Sequence, residues 1–172
     1  MTGGVKAMLL KTPIGQLLIE DDGGAISCIR LCAGDCASGE GSVLLDETAR
    51  QLTAYFEGRL RVFDLPLRVR GTEFEQNVYR AMAQAAYGET ASYGDIARHL
   101  GKPSACRAVG RACGRNPLLI VMPCHRIVAG SGALTGFAAG LPAKRILLTL
   151  EGHMVSPRDT IDLNRCRHCF EA

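Results

Sequence analysis

Apolar positions follow two regimes along the chain. Through residues 5–31 they form short runs separated by turn formers. Val5–Leu10 and Leu17–Glu20 flank Pro13 and Gly15, Asp21–Gly24 interrupts, and Ala25–Leu31 follows. Short apolar runs bounded by Gly, Pro and Asp predict strands. Cys32–Ser42 is small and polar, which predicts a loop. Leu44, Leu45, Thr48, Leu52, Tyr55 and Phe56 then recur at helical spacing, with Gly58 as the stop. Arg61–Leu67 predicts one more strand before a linker at Arg68–Gly71. From Thr72 the pattern turns helical. Thr72 with Glu75 forms a capping box, Phe74, Val78 and Met82 share one helix face, and Gly88 is the expected stop. Ser92 with Asp95 opens a short helix, Gly94–Leu100. After a turn at Gly101–Pro103, Ser104 is the expected cap of a second helix running to about Cys113. Two short helices joined by a tight Gly-containing turn predict a helix-turn-helix. Asn116–Phe137 reads as strand and loop, and Pro142–Leu150 as a closing helix.

This change of character predicts an α+β chain with an N-terminal α+β domain over 1–70. A helical region containing the helix-turn-helix follows over 71–155, and a Cys-rich tail over 156–172. Apolar residues make up 47% of the 172 and charged ones 22%, enough core material to exclude disorder. No apolar run approaches the roughly 18 residues of a membrane span, so no membrane role is expected. Met1–Pro13 lacks the cationic and apolar regions of a secretory signal. A soluble intracellular protein follows, whose eight cysteines are read as thiols, ligands or nucleophiles before disulfides.

Charge distribution says more than the net value of +3. Residues 1–86 carry nine basic and eleven acidic side chains, residues 87–172 eleven basic and six acidic. Arg98–Arg145 holds eight basic residues (Arg98, Lys102, Arg107, Arg111, Arg115, Arg126, Lys144, Arg145) and no acid. Such a block attracts polyanions, or is simply a solvated face. The second helix of the helix-turn-helix carries Arg107 and Arg111 beside small Ala105, Ala108 and Ala112. Small side chains allow close approach to a groove, and arginines meet phosphates.

The chemistry concentrates in Asn116–Val128. Cys124 lies beside His125, behind Pro123 and the apolar run Leu118–Met122. An ordinary thiol is mostly protonated at neutral pH, so a nucleophilic Cys124 needs a base and nearby positive charge. His125 can take the thiol proton, directly or through one water. Neighbours on a strand face opposite ways, so direct contact requires a turn at Cys124. Glu151, at the end of the closing helix, is placed to orient the imidazole. It faces the negative end of that helix, which points to a purpose. The Cys-His pair alone also fits a buried structural thiol.

Pro123-Cys124-His125-Arg126-Ile127 resembles the active-site signature of the methylated-DNA–protein-cysteine methyltransferases, the O6-alkylguanine-DNA alkyltransferase family. Gly71-Thr72-Glu73-Phe74, Tyr87-Gly88-Glu89-Thr90, Ser92-Tyr93-Gly94-Asp95-Ile96-Ala97, Arg107-Ala108-Val109-Gly110, Asn116-Pro117, Gly132-Ala133-Leu134, Gly136-Phe137 and Lys144…Leu147-Leu148…Glu151-Gly152 follow in the family's order. The resemblance implies a small ribonuclease H-like α/β domain packed on a helical domain of winged helix-turn-helix type. It also implies a cofactor-free, single-turnover transfer of an alkyl group from guanine O6, with thymine O4 as a further candidate substrate, to Cys124. His125 would deprotonate Cys124, Glu151 would orient His125, and Asn116 would brace the turn and the base. Tyr93 would sit by the phosphate 3′ to the lesion and donate a proton to the departing guanine. Arg107 would fill the stack after the base is flipped, with Ser104, Ala105, Ala108 and Arg111 on the same minor-groove surface. Met122, Pro123, Val128, Phe137, Ala138 and Ala139 would line the pocket. Ala139 stands where the family usually has Gly, which implies a narrower pocket. Tyr79 stands for a frequent Trp as a core residue, Ala86 for a usual Pro, and Met122 for a β-branched residue. The implied partner is double-stranded DNA carrying alkylated guanine, met by a monomer in the cytoplasm, or in the nucleus of a eukaryote.

Cys28, Cys32 and Cys36, with Cys166, His168 and Cys169, could form a structural zinc site if the tail folds back. The simpler reading is free thiols in a loop and a frayed terminus. Cys106 and Cys113 are expected to be small packing residues. Other functional classes remain: a non-catalytic lesion-binding relative, a Cys-His hydrolase, and a transcriptional regulator using the helix-turn-helix alone.

Overall fold

The computed structural model describes residues 4–163, so Cys166, His168 and Cys169 lie outside the described residues. The chain forms two compact units. Among the described residues, one comprises those up to Val69 together with Pro117–Val121, and the other Arg70–Asn116 and 122–163.

In the first unit, β1 (Lys6–Thr12), β2 (Gly15–Asp21) and β3 (Ile26–Leu31) form an antiparallel meander. Its two turns are those expected at Pro13–Gly15 and Asp21–Gly24. The Asp21 carboxylate accepts from the amides of Gly23 and Gly24 and from the Ser42 hydroxyl, which ties the second turn to the start of a helix. That helix, α1 (Val43–Phe56), is capped by Ser42 and buries Leu45, Leu52 and Tyr55. It packs on β1 and β2. Each such side chain contributes about 1.5–3 kcal/mol of burial.

Arg61–Leu67 is not a strand. Only Leu67 pairs, in a parallel bridge with Ile26, and Val62 is exposed. Pro66 lacks an amide and would interrupt any ladder, which explains the difference. Pro117–Val121 supplies a second bridge instead. The Ile29 amide donates to Pro117 O at 2.7 Å, and the Leu119 amide to Ile29 O at 2.9 Å. Ile120 adopts φ +72°, rare for a β-branched residue.

Cys32 and Cys36 are joined in a disulfide, not free thiols or metal ligands. Gly34, at φ +91°, folds the loop so that the Cα atoms lie 6.0 Å apart. Cys28 is a free, half-buried thiol, and burial raises its pKa. Among the described residues no cluster of His, Cys, Asp and Glu could hold a metal ion.

The second unit opens with α2 (Glu73–Met82), whose Thr72–Glu75 capping box is formed as the sequence predicts. It ends earlier than expected: Ala83 caps it, and Gly88, at φ +80°, shapes the turn that follows. Val78 and Met82 are buried, Phe74 only partly. Next come β4 (Ala91–Ser92) and α3 (Tyr93–His99), the latter capped by the Ser92–Asp95 box. α4 (Cys106–Gly114) completes the helix-turn-helix. Ser104 does not cap it, because Pro103–Ala105 winds into a tight 3-10 turn that leads directly into α4. Cys113 is buried as expected, whereas Cys106 is exposed. β5 (Ile127–Val128) runs parallel to β4, and α5 (Gly140–Leu150) closes the unit. Val128, Leu134, Leu148 and Ile161 pack into one apolar cluster. No helix among the described residues is long and apolar enough to cross a membrane.

Gly132 sits at φ +80°, where a Cβ would meet the Ile161 carbonyl oxygen at 2.3 Å. Gly132→Ala is expected to cost on the order of 2 kcal/mol from left-handed backbone strain and this collision. Chemical denaturation of the variant and the parent checks this.

Candidate active site

The chain does not cross the site as a strand. Pro123 leads into a one-turn 3-10 helix, Cys124–Arg126, and this turn supplies the bend that adjacent Cys and His residues require. Cys124 is 2% exposed, His125 fully buried, and Arg126 7% exposed. Burial raises the Cys124 thiol pKa. Asn116 opposes that shift, because its Nδ2 donates both to Cys124 Sγ at 3.0 Å and to Met122 O at 2.8 Å. Asn116 therefore braces the turn and touches the sulfur itself. A donor aimed at sulfur favours thiolate over thiol.

His125 Nε2 lies 2.9 Å from Glu151 Oε1. Burial is the largest influence on the ring and lowers its pKa, against the raising effect of Glu151. Glu151 is the C-cap of α5 and is itself buried. Its pKa lies far below the carboxylate range, since bonds from His125 and Arg126 outweigh the cost of burial. An ionised carboxylate only accepts, so Nε2 carries the hydrogen and Nδ1 keeps its lone pair.

Arg126 and Lys144 are the residues that the sequence reading placed wrongly. As members of the one-sign block both are expected on a polyanion-binding or solvated face, yet both are buried. Arg126 donates from Nε to Glu151 Oε2 and from Nη2 to Glu151 Oε1, each at 2.9 Å, and from Nη1 to Ala85 O at 2.6 Å. Lys144 Nζ donates to Ile127 O at 2.6 Å and Thr135 O at 2.9 Å. Burial depresses its pKa to about 8. Its positive charge also favours the Cys124 thiolate. The available signal was their position inside the family-like motifs, which charge counting overrode. Other members of the block are paired: Arg98 with Asp95, Arg115 with Glu75 at 3.0 Å, and Arg145 with Asp159 at 2.5 Å. Lys102, Arg107 and Arg111 are exposed and have no acidic partner among the described residues, and all flank or occupy α4.

Tyr93, the first residue of α3, is half-buried and donates its hydroxyl to Thr135 O at 3.1 Å. Burial raises the pKa of the phenol. A Cβ on Gly110 would lie 3.9 Å from the Tyr93 ring, so α4 passes close to it. Ser104 and Arg107 are exposed, and Ala105 and Ala108 half-buried. Of the expected pocket residues, Met122 and Pro123 are buried, Ala138 is exposed and Ala139 half-buried. Phe137 meets the His125 ring edge-on at 6.4 Å between centroids. Val128 belongs to the apolar cluster described above.

Residues 5–69 match the family model described as the ribonuclease-like domain of 6-O-methylguanine DNA methyltransferase, and residues 73–153 match its DNA binding domain. A methylated-DNA–protein-cysteine methyltransferase of Methanosarcina acetivorans is 41% identical over 150 residues, which cover 84% of this chain and 96% of that protein. One of Mycobacterium tuberculosis is 42% identical over 147 residues, covering 83% and 89%. The crystal structure of the Mycobacterium tuberculosis O6-methylguanine methyltransferase superposes with a TM-score of 0.79 at 39% identity, covering 93% of this chain and 98% of that one. The same organism's protein in complex with DNA superposes at 0.77 and 36% identity, covering 96% of each. The buried Cys-His-Glu arrangement and these likenesses over both units have one reading: the chain belongs to the methylated-DNA–protein-cysteine methyltransferase family.

Proposed function

We propose that this chain repairs DNA by transferring an alkyl group from O6 of guanine to its own Cys124, once per molecule. The observation that carries the reading is a buried thiol with an amide donor on its sulfur, next to an imidazole fixed by an ionised carboxylate. His125 takes the thiol proton at Nδ1, and the thiolate attacks the alkyl carbon in line with the C–O bond. The carbon–sulfur bond forms as the carbon–oxygen bond breaks. The bonding electrons return to the guanine ring, which recovers a proton and leaves as guanine. A thioether is a poor leaving group, so the sulfur is consumed and no cofactor is needed.

Tyr93 is the donor assigned to the departing base. Its raised pKa keeps the hydroxyl protonated, and it would exchange the Thr135 carbonyl for guanine or the 3′ phosphate. The lesion must leave the duplex to reach a thiol so deeply buried, at a cost of about a few kcal/mol. Arg107, exposed on α4, would occupy the vacated stack. Ser104, Ala105, Ala108 and Arg111 would complete the groove surface. The partner is double-stranded DNA with alkylated guanine, bound by a monomer. The protein then acts where DNA is kept, in the cytoplasm of a bacterium or archaeon or in a eukaryotic nucleus.

Four outcomes test this reading. After mixing with an O6-methylguanine oligonucleotide, mass spectrometry should find one added methylene on the Cys124 peptide and no turnover. Cys124→Ser should abolish the adduct while retaining binding, and an adduct elsewhere would sink the assignment. Asn116→Ala should slow single-turnover transfer by about 10–100-fold, as expected for a hydrogen bond to a charged group worth about 1.5–3 kcal/mol. Arg107→Ala should slow repair in duplexes far more than reaction with the free base. Equal slowing in both would remove the stack-filling role.

A further inference from the structure

We infer that Arg126 is a positioning residue of this site: by gripping both oxygens of Glu151 it keeps that carboxylate ionised and aligned, and leaves His125 neutral and able to take the Cys124 proton. The inference rests on the alkyl-transfer reading.

A carboxylate buried against an imidazole, with nothing else nearby, would draw a proton onto the ring. The pair would settle as imidazolium and carboxylate, and the base would be occupied before reaction. The geometry here prevents that. Arg126 holds Glu151 through two nitrogens, and its third contact, to Ala85 O, fixes the guanidinium plane. The Gly88 amide adds a donor to Oε2 at 3.3 Å. The negative charge is thus matched locally, and the His125 bond to Oε1 orients the ring without charging it. A bidentate guanidinium does this better than an ammonium, because its flat fork fits a carboxylate.

The groups facing the ring come from several elements. Glu151 and Lys144 lie on α5 and its cap, and Arg126 on the ring's own turn. Around the neighbouring Cys124 thiol stand Lys144, Cys113 on α4 and Tyr93 on α3. Glu151 is the one group of this set that raises the His125 pKa, and Arg126 and Lys144 both lower it. Removing Arg126 therefore moves the His125 titration upward.

The test is a titration of the full chain labelled with 15N-histidine, read alongside the pH profile of single-turnover methyl transfer. In the parent protein, His125 should be neutral at neutral pH with its proton on Nε2. Arg126→Met should raise its titration by roughly one unit or more, so that transfer slows about tenfold on the acid side and much less in alkaline solution. Adding Glu151→Gln to Arg126→Met should bring the titration back down. A lone structural clamp would lower stability without moving His125. An unchanged or lowered titration in Arg126→Met overturns the inference. An imidazolium in the parent protein at neutral pH overturns it without any variant, even if Arg126→Met fails to fold. The titration needs no alkyl transfer, so this inference and the functional reading can fail in separate measurements.

Discussion

A negative charge at the C-terminal end of a helix, out of water, is among the less favourable placements for a carboxylate. Glu151 occupies such a place, and the second unit is arranged to satisfy it. Donors arrive from the Cys124–Arg126 turn through His125 and Arg126, and from the turn after α2 through Gly88. The Tyr87 hydroxyl meets the Leu150 carbonyl one residue away, at 2.9 Å, and satisfies one of the helix-end acceptors. Two turns and a helix end distant in sequence thus fix one another through a single side chain. Gly88 makes the approach possible, since a Cβ there would stand 3.2 Å from the Glu151 carbonyl oxygen.

The thiol is governed by the same low-dielectric surroundings. Burial makes Cys124 a poor acid, which protects it from casual oxidation and alkylation. Asn116 and Lys144 work in the opposite direction, one by hydrogen bond and one by charge. Burial outweighs both, so the net shift is upward. Burial thus disfavours the charged form of both the thiol and the imidazole, in opposite pKa directions.

Much of this was legible in the sequence. The two capping boxes at Thr72 and Ser92 are local, and both formed as their spacing predicts. The three short strands were readable from their turn formers, though not their antiparallel pairing, and the chemistry from the motif around Cys124. What escaped was set by tertiary partners. Arg126 and Lys144 look like surface charges in a one-sign block, and only the folded chain reveals a carboxylate for one and two carbonyls for the other. Arg61–Leu67 has the apolar content of a strand, but Pro66 and the exposure of Val62 deny it a ladder. The Cys32–Cys36 bond is not legible in the spacing alone, since intracellular chains keep most thiols reduced and only the turn at Gly34 brings these two together.

Pro117–Val121 lies between Asn116, which touches the sulfur, and Met122, which accepts from the same amide. Those five residues belong to the first unit, where they pair with β3 and where Ile120 is held in a left-handed conformation costing about 1–3 kcal/mol. The N-terminal region is thus no detachable appendage. Trimming the chain to its helical half would leave a greasy pentapeptide without its docking edge, in the short span that separates the amide from the atom it serves. The strained isoleucine would be free to relax, and the reach from Asn116 to Cys124 would drift with it.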